Sequence, residues 1–159
     1  MTTKVSTFLW FQKDGEKAAK FYASVIPGAK VVDVRRSGSA VGPWKKGQIY
    51  AATVKIGGAE YICFNGGPHQ KLNQSVSIFV ECKNQKELDT IWNKLVKGGR
   101  PIACGWLEDR FGLSWQLVPA SLGKMLTAKD AKAAGRAMAA MMDMVKLDEA
   151  ALKKAFANR

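Results

Sequence analysis

An α+β fold follows from three features of this 159-residue chain. A strand-then-helix pattern occurs twice, about 69 residues apart. Short strand signals follow each helix, and a glycine pair is placed to close a hairpin between two of them.

Residues 5–12 (Val-Ser-Thr-Phe-Leu-Trp-Phe-Gln) are rich in aromatic and β-branched types and predict a strand. Asp14 is placed to cap a helix in which Ala18, Ala19, Tyr22 and Ile26 recur at helical spacing, and Pro27-Gly28 stops it. Strands are expected at 30–36, 48–56 and 60–65, with Gly57-Gly58 as the hairpin turn. The second half repeats the order. Ser75 to Glu81 predicts a strand, and Asn84 with Glu87 forms a capping box. Leu88, Ile91, Trp92 and Leu95 then mark a helix that ends at Gly98-Gly99. Strands at 100–106 and 113–119 complete it. One helix per sheet in each half, about 4–66 and 75–119, makes the class α+β.

Residues 121–159 differ, being rich in Ala, Lys and Met. A helix capped at Thr127, with Asp130 in third position, is expected to carry an apolar stripe of Ala131, Ala134, Met138, Met141, Met142 and Val145. Asp148 caps a second short helix with Ala151, Leu152 and Phe156. Such stripes need a partner surface, either the sheet domain or a second subunit. The expected organisation is thus a domain over 1–122 and a helical extension over 123–159.

The net charge is +12, from 25 Lys and Arg against 13 Asp and Glu. A nucleic-acid partner is disfavoured, because the cations are scattered and no nucleic-acid-reading motif accompanies them. No apolar run approaches a membrane span, and the N-terminus lacks a signal-peptide pattern, which makes the cytoplasm the expected location. Cys63, Cys82 and Cys104 have no paired spacing and read as reduced thiols.

The segment from Cys104 to Pro119 is the most specific in the chain. It reads as an acidic turn closed by Gly112, followed by a strand carrying Gln116 between Trp115 and Leu117. Gln116 is either a satisfied core amide or the altered remnant of a metal ligand. His69 is the one histidine and sits on a loop after Gly66-Gly67-Pro68. It reads as a loop residue or a pocket-edge proton donor. Glu108 and Asp109 read as turn chemistry or as a base. With one imidazole, neither a zinc site nor a two-histidine iron site can be assembled within one subunit.

The words Trp10-Phe11…Phe21-Tyr22, Asn65-Gly66-Gly67-Pro68-His69 and Cys104-Gly105-Trp106-Leu107…Phe111-Gly112-Leu113-Ser114-Trp115-Gln116 resemble the PhnB-like branch of the vicinal oxygen chelate superfamily. That superfamily is the glyoxalase, bleomycin-resistance and dioxygenase group. Many members of the branch carry the label 3-demethylubiquinone-9 3-methyltransferase. The resemblance implies paired βαβββ modules forming a cupped mixed or antiparallel sheet, the glyoxalase-like fold, usually as a homodimer. In metal-using relatives four strands hold one divalent ion. Carried over, those positions are Thr7, Tyr61, Val76 and Gln116, of which only Gln116 ligates well.

The expectation is therefore a metal-free binder of a small molecule of unassigned identity, with no cofactor. With Thr7 facing the cup, Leu9, Tyr61, Cys63, Ser114 and Gln116 line it, Trp106 stands near the mouth and His69 at the edge. The alternative is an enzyme working through Glu108, Asp109, His69, Cys63 or Cys104. Sequestration of a cationic drug is disfavoured by the charge. The methyltransferase label finds no support, since Gly38, Gly42 and Gly47 do not sit in a strand–glycine turn–helix setting.

Overall fold

Each half of the chain folds as β-α-β-β-β. The first comprises β1 (Thr7–Phe11), α1 (Gly15–Val25), β2 (Lys30–Arg36), β3 (Ile49–Ile56) and β4 (Ala59–Asn65), in the sheet order β1-β4-β3-β2. The second comprises β5 (Ser77–Cys82), α2 (Gln85–Leu95), β6 (Arg100–Pro101), β7 (Trp106–Glu108) and β8 (Ser114–Pro119), in the order β5-β8-β7-β6. In each sheet the first and last strands pair in parallel and the rest are antiparallel, so both sheets are mixed. The computed structural model describes residues 2–158 and separates into two compact units between Leu72 and Asn73.

The helices begin at Gly15 and Gln85, 70 residues apart rather than 69. Ala18, Tyr22 and Val25 thus correspond to Leu88, Trp92 and Leu95, and all six are buried. Each enclosed Leu, Val or Ile contributes roughly 1.5–3 kcal/mol. In the first unit these residues share a core with Leu9, Phe11, Ala52, Val54 and Cys63. In the second the core includes Ile78, Cys82, Leu107, Trp115 and Leu117.

The caps are partly those expected. Asn84 Oδ1 accepts from the Glu87 amide at 2.9 Å. Glu87 returns its carboxylate to the Lys83 amide at 2.8 Å, one residue earlier than a standard capping box. Asp14 makes no side-chain cap bond. Asn65 Oδ1 takes the Gly15 amide instead, at 2.7 Å, and Asp14 pairs with Lys17. Gly57 and Gly58 have φ of 54° and 93°, as the tight hairpin turn expected there requires.

The expected strand at 100–106 divides into β6 and β7. The break is a turn with Cys104 at φ 56° and Gly105 at φ 82°. A Cβ on Gly105 would stand 2.7 Å from the Leu117 carbonyl oxygen, so the turn must carry glycine there.

The tail forms α3 (Ser121–Leu126), α4 (Ala131–Met142) and α5 (Glu149–Ala157) and belongs to the second unit. Asp130, not Thr127, caps α4, accepting from the Lys132 and Ala133 amides. Asp148 caps α5 as expected. The amides of Cys104 and Gly105 donate to the carbonyls of Met144 and Val145, each at 2.8 Å. Gln85 Nε2 donates to the Leu147 carbonyl, and Lys146 pairs with Asp89 at 2.6 Å. These bonds fix the tail on α2 and the 103–105 turn. The expected apolar stripe of α4 is not the docked one. Ala133 and Ala137 are buried, whereas Met138, Met142 and Val145 are exposed. Small alanines allow close helix contact, and hydrophobic spacing alone does not distinguish the two faces.

The Lys146 ammonium bonded to Asp89 holds that carboxyl below the ordinary carboxylate range, against a smaller opposing effect of burial. A carboxyl lowered on folding adds stability above its unfolded pKa of about 4, and that stability is lost as pH falls through the folded value. Urea midpoints measured downward from pH 5 are therefore expected to fall less steeply in Lys146→Met than in wild type.

Candidate functional site

Side chains alternate along a strand, and the helix decides which parity is covered. In the first unit α1 covers the parity of Leu9, Phe11, Ala52, Val54 and Cys63. A Cβ on Gly15 would lie 2.7 Å from the Cys63 carbonyl oxygen, which shows how closely helix and strand approach. The opposite parity is aromatic. Phe8 and Phe64 have ring centroids 5.0 Å apart, Trp10 and Phe64 5.2 Å, and Trp44 and Phe64 5.5 Å. Phe8 keeps 55% of its surface exposed.

This arrangement corrects part of the expected cavity wall. Leu9 and Cys63 are core residues beneath α1. Thr7 and Tyr61 are register partners on β1 and β4, on the same parity as Leu9 and Cys63. His69 is exposed on the loop after β4. The uncovered aromatic face lies on the parity opposite to Thr7. Its signal was present in the alternation of Phe8 and Trp10.

In the second unit α2 covers Ile78, Trp115, Leu117 and Leu107, and the opposite parity holds three of the expected residues together. Trp106 is in register with Gln116, which is in register with Phe79 on the other side. One row along, Ser77, Ser114 and Glu108 align in the same way. Gln116 Nε2 donates to Ser77 Oγ at 2.8 Å. Ser114 is fully enclosed, and its hydroxyl has no hydrogen-bond partner among the described residues. Phe79 is 57% exposed. Ser77 and Phe79 are the first-strand residues of this face, whereas Val76, the position the resemblance implies, lies just outside β5.

The acidic pair has separate duties. Glu108 pairs with Arg100 at 2.8 Å. Asp109 is buried, and its carboxylate accepts from the Phe111 amide (2.8 Å), the Leu113 amide (3.2 Å) and Trp115 Nε1 (2.9 Å). It organises the turn into β8, so it is no candidate base.

Neither a metal nor S-adenosylmethionine fits these residues. Gln116 is surrounded by Ser77, Phe79 and Trp106, none of them a strong divalent-metal ligand. Among the described residues no cluster of three His, Cys, Asp or Glu is placed to hold a metal ion. For S-adenosylmethionine, neither sheet is the parallel doubly wound type. The amide of Gly15, at the one strand-to-helix turn with a glycine, is already bonded to Asn65.

The family described as 3-demethylubiquinone-9 3-methyltransferase matches residues 3–118. The PhnB protein from Bacillus cereus is 31% identical over 74% of this chain and 100% of its own, with a TM-score of 0.66. This chain belongs to that PhnB-like family. A protein from Pseudomonas aeruginosa is 19% identical over 73% of this chain and 96% of its own, with a TM-score of 0.61. The fosfomycin resistance protein FosX from Mesorhizobium loti is 13% identical over 80% of this chain and 99% of its own, at 0.55. The last two share the fold alone, which is the glyoxalase-like α+β fold. No curated protein matches the chain. Among the described residues no helix is long and apolar enough to cross a membrane.

Within this PhnB-like protein the thiols differ in access. Burial, with the Glu87 charge adding to it, pushes the Cys82 thiol up to about 12. Cys63 is enclosed, whereas Cys104 is partly exposed. Iodoacetamide at pH 8 is expected to alkylate Cys104 in the native protein and to reach Cys63 and Cys82 only after unfolding, as read by peptide mass spectrometry.

The Asp109 carboxylate gives a second expectation. Asp109→Ala leaves a buried backbone amide and an indole N–H without their acceptor, at about 1–3 kcal/mol each. Urea unfolding is expected to show a loss of about 2–5 kcal/mol, with Glu108→Ala costing under about 1 kcal/mol.

Proposed function

We propose that this PhnB-like protein binds a small molecule on the uncovered face of its second sheet and does so without a metal. The carrying observation is the grouping of Gln116, bonded to Ser77, beside the enclosed and unpartnered Ser114 hydroxyl. Phe79 and Trp106 flank Gln116 and supply apolar area. Neutral donors and acceptors between aromatic walls suit recognition by hydrogen bonds and stacking. A buried hydroxyl without a partner is costly, and a ligand that displaced the neighbouring side chains enclosing Ser114 would relieve that cost.

The reading retains Trp106, Ser114 and Gln116 from the sequence and adds Ser77 and Phe79. It assigns no reaction, because no general base stands beside a nucleophile: Glu108 is paired with Arg100 and Asp109 is spent on the turn. A homodimer and a cytoplasmic location belong to the same proposal, by analogy with the family and with the sequence pattern.

Native mass spectrometry of the purified protein tests this reading. A dimeric species with no stoichiometric metal and a non-covalent organic adduct is expected. Gln116→Leu and Ser114→Val should each reduce that adduct severalfold. Tightly bound stoichiometric metal, or an adduct indifferent to both variants, would overturn it.

A further inference from the structure

The first unit holds a small open pocket whose chemistry differs from that of the second-sheet face. Residues 1–72 contain eleven Lys and Arg against four Asp and Glu. All four acids are engaged: Asp14 with Lys17, Glu16 with Lys20, Asp33 with Arg35, and Glu60 with Lys4. Lys13 has no carboxylate partner among the described residues. It lines an open pocket of about 130 Å³ together with Gln12, Pro43, Trp44, Gln48 and Asn65.

The polar atoms around that pocket sort into used and unused. Asn65 is spent: Oδ1 accepts from Gly15, and Nδ2 donates to the Ile49 carbonyl at 3.0 Å. The Trp44 indole N–H donates to the Asn65 carbonyl at 3.0 Å, which fixes the ring and leaves its carbons to form a wall. Gln48 Oε1 accepts from the Lys45 amide at 2.9 Å, so the amide nitrogen is the end of Gln48 left over. What remains unspent is the Lys13 ammonium, the Gln48 amino group and the Gln12 side-chain amide, against an apolar wall of Trp44 and Pro43. No acidic residue lines the pocket.

Its volume is about four times the ~30 Å³ share of one water, enough for a single ring and too small for a nucleotide or a peptide. A cation with amide donors on one side selects a carboxylate, and a fixed indole on the other selects a planar ring. We propose that this pocket binds a small aromatic monocarboxylate, with the ring against Trp44 and Pro43 and the carboxylate on Lys13 and Gln48. The site shares no residue with the uncovered face of the second sheet, so neither proposal depends on the other.

The test is a titration of ¹⁵N-labelled protein with sodium benzoate, followed at the Trp44 indole N–H, which Trp44→Phe identifies by its loss. Saturable shifts are expected with a Kd of about millimolar, as suits so small a ligand. Lys13→Gln, an exposed substitution that leaves the core intact, should weaken binding about three- to fivefold, the range of a partly exposed charge pair. The neutral isostere benzamide should bind distinctly more weakly. Shifts absent at Trp44, equal for benzamide and benzoate, unchanged in Lys13→Gln, or confined to Trp106 and Gln116 would each overturn the proposal.

Discussion

One helix per sheet is the constraint from which the rest follows. A helix about 10 Å across covers two to three strands spaced about 4.8 Å apart, and only one of their two faces. In both units that covered face takes Leu, Val, Ile and one large aromatic from the helix itself, Tyr22 or Trp92. The edge of the first sheet stays partly bare, with Val32 and Val34 exposed on β2 among Lys30, Asp33, Arg35 and Arg36. Charged side chains and two register shifts against β3 make that edge a poor template for another strand. The uncovered faces, freed from supporting the core, carry the residues with chemistry to offer.

The two uncovered faces have diverged. That of the first sheet is a cluster of rings, Phe8, Trp10, Phe64 and Trp44, whose indole nitrogens are bonded to backbone carbonyls at Gly67 and Asn65. That of the second is mixed, with Ser77, Ser114 and Gln116 set among Phe79 and Trp106. The difference is supported from beneath and beside the second sheet. Asp109 locks the turn that delivers β8, and the tail carbonyls of Met144 and Val145 lock the turn that delivers β7. Trp106 and Gln116 are in register because both turns are held. The helical tail, read by itself as an appendage, is part of what positions this face.

Most of the fold was legible because its signals are local. Gly57-Gly58, Asn84 with Glu87, and Asp148 each act within a few residues, and each acts as its chemistry requires. What was not legible depended on distant partners. Asn65 replaces Asp14 as the acceptor for Gly15 from fifty residues away. The break at Cys104-Gly105 is imposed by Leu117 and the tail. The docked face of α4 is not legible because alanines packed against other helices bury as fully as methionines, and nothing in the spacing ranks the two. For the site, the alternation along β1 is legible, but which parity lies under α1 is a tertiary fact. That single unknown moved Leu9 and Cys63 from an expected wall into the core.

Gln116 shows why residue type must be weighed against its neighbours. An amide oxygen can ligate a divalent ion, yet a site needs several stronger donors converging on one point. Around Gln116 the sheet register supplies a hydroxyl and two aromatic rings; of the two carboxylates one row away, Glu108 is neutralised by Arg100 and Glu81 stands exposed beyond Phe79, in register with Val118. Its amide hydrogen bond to Ser77 fixes the side chain in place without a metal to organise it. The same register that withholds metal ligands places stacking surfaces on both sides of a neutral amide, next to a hydroxyl that lacks a partner. Such a surface discriminates by shape and hydrogen-bond pattern rather than by charge. In a chain with a net charge of +12, that neutrality sets the second-sheet face apart from the Lys13 pocket, where an unpaired cation makes charge the means of selection.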